Sequence, residues 1–154
     1  MPQPLKIAQA IQADLEAVGV KAEIKSFEWG TYLDKVSRGQ HDMALLGWTG
    51  DNGDPDNFLY VLLDKSATAH PANNIAFYRS EELHEILIQA QNEVDIDIRT
   101  DLYREAQEVV NRDAPWVPLV HAAQTAAFRK RVTGFKLHPT GSKWFHTVSV
   151  ASNP

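Results

Sequence analysis

Helix, strand, helix and strand follow one another in the first 48 residues, and that order limits the fold more than any other feature. Leu5, Ala8, Ile11, Leu15 and Val18 share one face at helical spacing over residues 4–18, with Pro4 in the first turn and Gly19 at the stop. Val20, Ala22 and Ile24 then alternate with Lys21, Glu23 and Lys25, the pattern of a strand with one wet face. Trp29, Tyr32, Leu33 and Val36 restore the helical period up to Gly39, and Met43-Ala44-Leu45-Leu46 reads as a strand buried on both faces. Two strands joined through a helix run parallel with a right-handed crossover. The expected class is therefore α/β.

Beyond residue 56 the pattern turns helical and then extended. Asp54-Pro55 suits a helix start ahead of Phe58, Leu59, Leu62 and Leu63. Residues 64–79 are irregular. Ser80 caps the next helix, with Glu81 and Glu82 at its positive end and Leu83, Ile86, Leu87, Ala90 and Val94 as its apolar stripe. Asp97 is expected to open a further helix carrying Leu102, Ala106, Val109 and Val110, and the two read as a helical hairpin. Pro115 and Pro118 mark an extended stretch near a sheet edge. Phe135 and Leu137, then Trp144, His146, Val148 and Val150, alternate as strands around a turn at His138-Pro139-Thr140-Gly141, which makes the tail the more β-rich part.

Composition removes several function classes. The 154 residues contain no cysteine, which excludes disulfides, thiolate metal sites and a cysteine nucleophile. Fifteen basic against twenty acidic residues give a net charge of −5, which argues against nucleic acid as partner. No run of 18 apolar residues predicts a membrane span, and the N-terminal stretch lacks the basic, apolar and small-residue regions of a secretion signal. His41, His70, His84, His121, His138 and His146 fall in no close metal-binding pattern, and no serine stands in a nucleophile-elbow motif. Arg129-Lys130-Arg131 reads as a solvated turn. No metal, cofactor or catalytic residue is expected.

The loop Gly47-Trp48-Thr49-Gly50-Asp51-Asn52-Gly53-Asp54-Pro55-Asp56 holds the most chemistry. It follows a strand and precedes a helix, where open α/β sheets gather ligands. Its three aspartates and lack of Lys or Arg oppose a phosphate and favour a cationic guest, with Trp48 as an apolar wall. Calcium fits poorly, because a loop counted from Asp51 puts Gly53 at position 3, Asp56 at position 6 and Leu62 at position 12. From the residues alone, a ligand loop and a capped structural turn stay open.

Gly47 to Phe58 resembles the dipeptide-binding proteins of bacterial ABC importers, within the peptide- and nickel-binding solute receptor family. Ile11 to Leu15, Val18-Gly19-Val20, Glu28 to Leu33, Ala114-Pro115, Val132-Thr133-Gly134 and Phe145 to Ser149 extend the likeness over nearly the whole chain. It covers about the last third of such receptors, which implies a truncated form. The resemblance implies part of the second lobe of a type II periplasmic-binding-protein fold over residues 1–121. Residues 122–154 would then be the segment that crosses the hinge into lobe I. By the same likeness Asp51 holds a peptide's α-amino group, and Trp48, Thr49 and Gly50 line the pocket. The arginine that receives the peptide carboxylate is expected to lie upstream of these residues. Relatives carry a cysteine pair in the loop matching residues 64–79, which this chain lacks. The expected role is thus a non-enzymatic, periplasmic receptor for dipeptides that hands its cargo to an ABC permease. An oligopeptide, glutathione, haem or a nickel chelate is an alternative ligand, and self-association a further expectation. A metal-dependent hydrolase built on Asp51, Asp54 and Asp56 is the remote alternative.

Overall fold

A computed structural model describes residues 3–152. Five α-helices and one small hairpin follow in order: α1 (Pro4–Ala17), α2 (Trp29–Ser37), α3 (Asp56–Leu63), α4 (Glu81–Asn92), α5 (Ile96–Asp113), β1 (Val132–Thr133) and β2 (Ser149–Val150). A 3₁₀ turn, Lys65–Thr68, follows α3 directly.

The main core lies between α3, α4 and α5. Leu59 and Leu63 from α3 meet Leu83, Ile86, Leu87 and Ala90 from α4 and Leu102, Tyr103, Ala106 and Val109 from α5. This is the helical hairpin expected from the spacing, with α3 laid across it. Ser80 caps α4 as expected, its hydroxyl accepting from the Leu83 N–H at 3.1 Å. The cap of α5 sits earlier than the sequence reading placed it. Asp95, not Asp97, accepts from two orphan N–H groups, those of Asp97 and Ile98, and the helix starts at Ile96. Across the open end of the hairpin Arg112 makes a two-pronged bond to Glu82, at 3.1 and 2.7 Å.

The loop at 64–79 is held by polar groups. Asp64 and Asn74 are fully buried. The Asp64 carboxylate accepts from the Ser66 N–H and hydroxyl and from His84 Nδ1 on α4, the last at 2.7 Å. The Asn74 amide donates to the Asp64 and Tyr78 carbonyls at 3.1 and 2.9 Å and accepts from the Tyr78 N–H. Burial pushes the Asp64 carboxyl up, but the bonds from Ser66 and His84 outweigh it and hold the group below its ordinary value.

In the first 50 residues the helices form and the strands do not. The stretches around residues 20–24 and 43–46 run without regular structure, and no ladder joins them among the described residues. Each is held by a side chain instead. Gln12 donates to the Ala22 carbonyl at 2.7 Å, and the Tyr32 hydroxyl donates to the Leu45 carbonyl at 3.1 Å. Met43 is mostly exposed, so the apolar run at 43–46 is not buried on both faces as expected. The stripe of α1 contains no fully buried residue. A strand exists only where another strand meets its N–H and C=O groups, and here none lies alongside.

The tail also pairs differently from the expectation. Val132 faces Val150 and Thr133 faces Ser149, antiparallel, at the base of a long excursion. Phe135, Leu137 and Trp144, expected in strands, lie beyond that pairing. Phe135 packs between Phe128 and Phe145, with ring centroids 4.9 and 5.8 Å away. The turn at His138–Gly141 does form, closed by the Gly141 N–H on the His138 carbonyl. Gly134 explains the early break: its φ is +79°, and a β-carbon there would lie 2.0 Å from the Thr147 carbonyl oxygen. Thr147 clasps it further by donating its hydroxyl to the Gly134 carbonyl at 2.7 Å.

Candidate functional site

The acidic loop leaves the extended segment after Leu46, crosses residues 47–55 and enters α3 at Asp56. Three short-range bonds shape it. The Asn52 side chain accepts from the Asp54 N–H, the Asp54 carboxylate from the Asp56 N–H, and the Asn57 side chain from the Asp51 N–H, all at 2.9–3.0 Å. Gly53, at φ +77°, makes the turn between Asn52 and Asp54, in a region where a β-carbon is disfavoured. Asx-type bonds of this kind are what Asn and Asp do best in loops.

Longer bonds then sort the three carboxylates. Arg99, on α5, donates one terminal nitrogen to both oxygens of Asp54, at 2.9 and 3.1 Å. Gln91, on α4, donates to Asp56 at 2.8 Å. The Asp51 carboxylate has no hydrogen-bond or ion-pair partner among the described residues, and Asp51 is exposed. The bonds from Arg99 and then from the Asp56 N–H hold the Asp54 carboxyl below its ordinary value. One negative charge is thus neutralised by an arginine, one is held by an amide, and one stays open.

The residues singled out from the sequence fall on a single stretch. Trp48 and Thr49 are exposed, Gly50 is half-buried, and Asp51 follows them at the turn. A cavity of about 300 Å³ lies beside them, between the loop and the three core helices. Its lining includes Asn52, Asp54, Asp56 and Asn57, with Gln91 and Arg99 opposite; Trp48 and Asp51 lie outside it. This cavity is therefore a separate space from the Trp48–Asp51 stretch. Sequence reasoning missed Arg99, Gln91 and Asn57. No local signal links Arg99 to an aspartate 45 positions earlier, although its helical spacing to Tyr103 was visible.

The metal-hydrolase alternative meets an obstacle in the same geometry. Among the described residues no three His, Asp or Glu side chains gather where they could hold a metal ion. Asp54 and Asp56 point their bonding at α5 and α4 instead of at a common centre with Asp51.

Comparison with known proteins places this loop in context. Residues 1–70 match the family described as bacterial extracellular solute-binding proteins, family 5, middle. The chain is 38% identical over 147 residues to a di/tripeptide-binding protein of Pseudomonas aeruginosa, covering 96% of this chain and 27% of that protein. The dipeptide-binding protein of Escherichia coli is 36% identical over 149 residues, covering 97% of this chain and 28% of its own length. A periplasmic binding protein of Helicobacter pylori associated with an ABC transporter, solved with the peptide STSA, superposes with a TM-score of 0.82. It is 38% identical and covers 94% of this chain and 28% of its own. The matched curated relatives are thus more than three times as long as this chain. The fold is that of part of a type II periplasmic binding protein, and the few strands seen here agree with a partial lobe.

Proposed function

We propose that this chain, a relative of the family 5 extracellular solute-binding proteins, supplies the amine-recognising part of a periplasmic receptor for dipeptides. In this reading residues 1–121 belong to the ligand-binding lobe and residues 122–154 to the segment that crosses the hinge. The receptor does no chemistry on its cargo and passes it to an ABC permease.

One observation carries the reading: of three aspartates in the loop, only Asp51 keeps a carboxylate with no partner among the described residues. A dipeptide at neutral pH presents an ammonium, and a carboxylate that meets it forms a charge-assisted hydrogen bond. Such a bond contributes about 1.5–3 kcal/mol. Trp48, Thr49 and Gly50 precede Asp51 and would border the same guest. Relatives of similar identity include one named a haem-binding protein, from Haemophilus influenzae, at 36%. Haem carries propionates where a peptide carries an ammonium, so the open aspartate favours the peptide.

Placing this chain in the Escherichia coli dipeptide-binding protein, in exchange for the segment it matches, gives a receptor on which calorimetry can be done. The chimera is expected to bind alanyl-alanine and to lose at least tenfold in affinity, about 1.4 kcal/mol, when the amine is acetylated. A chimera that melts cooperatively yet binds both forms equally contradicts the proposal. The 154 residues by themselves are expected to bind dipeptides only weakly, because Asp51 is exposed and an ion pair in open solvent contributes little; micromolar affinity would overturn that expectation.

A further inference from the structure

We propose that Arg99 is a positioning residue for the Asp51 site: from α5 it fixes the acidic loop through Asp54, so that Asp51 alone is left to meet a cation. The inference rests on the reading of Asp51 given above and adds the device that sets it up.

Arg99 touches three parts of the fold at once. Its Nε donates to the Ala90 carbonyl near the end of α4 at 3.1 Å. Its terminal nitrogen donates to both Asp54 oxygens and to the Tyr103 hydroxyl at 2.8 Å, and the guanidinium sits 4.8 Å from the centre of the Tyr103 ring. Tyr103 is itself nearly fully buried in the helical core. The guanidinium is therefore held by the buried helical core on one side and holds the loop on the other.

Chemistry makes the choice of residue specific. A planar guanidinium can serve a carbonyl, a carboxylate and a hydroxyl in fixed directions, whereas a lysine ammonium on a flexible stem is a point charge. Taking Asp54 out of play also does two things for Asp51. It ties down the turn at Gly53, because Asp54 caps the Asp56 N–H with the same carboxylate. It also removes a competing negative charge three residues away that would share an incoming cation.

The test uses the 154-residue chain without ligand, followed by amide and carboxyl NMR. Arg99→Lys and Arg99→Gln are both expected to shift the amides of residues 50–56 and raise the exchange rate of the Asp54–Asp56 turn at least fivefold. Exchange in α4 and in the rest of α5 stays within twofold, and the Asp54 carboxyl titrates at higher pH than in the parent. Asp54→Asn, which removes the charge while keeping a side-chain oxygen for the Asp56 N–H, is expected to shift the same loop amides and to free the Arg99 side-chain signal. Unchanged loop signals in all three variants would overturn the proposal. So would a change spread evenly over α3, α4 and α5, or full recovery by lysine. These readouts need no ligand, so failure of the amine reading in calorimetry is a separate result.

Discussion

Asp64 makes the clearest case at the scale of single residues. It is fully buried with a depressed pKa, sustained by Ser66 and by His84. A carboxyl whose folded pKa lies below its unfolded value, about 3.9 for aspartate, adds stability above that unfolded value and loses it as pH falls through the folded one. Asp64→Asn is therefore expected to destabilise the chain at pH 6 by about 1–3 kcal/mol. The difference from wild type should shrink in denaturant titrations below about pH 4. A gap that stays constant from pH 6 to pH 3 would show that the charge of Asp64 has no part in it. The pairing of His84 with Asp64 was not legible in the sequence, because the partner lies 20 residues away on a loop with no periodicity. Asp51 was legible only through the family resemblance of its loop, because the residues alone left a ligand loop and a capped turn open. That Asp54 and Asp56 are engaged while Asp51 is open was not, since it depends on side chains from α4 and α5.

Elements whose stability is local were readable, and elements that need a neighbour were not. Helices α1 to α5 carry their periodicity and stops in the chain, and Ser80 announces α4. Ser80→Ala should cost about 1 kcal/mol in chemical denaturation, and a cost below about 0.3 kcal/mol would mean the cap bond is dispensable. In the helical core Leu87, fully buried on α4, should cost about 2–5 kcal/mol when truncated to alanine. The strands are the contrast. Residues 20–24 and 43–46 have strand patterning but lack a strand alongside, so the pattern alone does not make a sheet. In the tail, alternation suggested strands through Phe135 and Trp144, but the close approach of Thr147 to Gly134 ends the ladder first. Gly134→Ala is expected to remove the β1–β2 pairing, read as loss of the cross-strand NMR contacts between residues 132 and 150. The core amides of α4 and α5 should remain protected. Persistence of those contacts would show that the backbone can yield at Gly134.

For the molecule as a whole, the balance of covered and uncovered apolar surface sets the behaviour. The core of α3, α4 and α5 is closed, while Leu5, Val20, Trp29, Met43 and Trp48 in the first 50 residues are each more than 40% exposed. Exposed patches of this kind drive association, so light scattering is expected to show a mass that rises with concentration. A strict monomer across the range would mean the patches are too dispersed to act together. No helix among the described residues is long and apolar enough to cross a membrane.

The most direct test of amine recognition compares Asp51→Asn with Asp56→Asn in the dipeptide-receptor chimera, by calorimetry against alanyl-alanine and its N-acetyl form. Asp51→Asn should lower affinity for the free amine about 10- to 100-fold while leaving the acetylated peptide unchanged, as loss of a charge-assisted bond requires. Asp56→Asn should alter neither by more than about threefold, since Asp56 is already bound by Gln91. Equal losses for both peptides, or a larger loss from Asp56→Asn, would contradict the account.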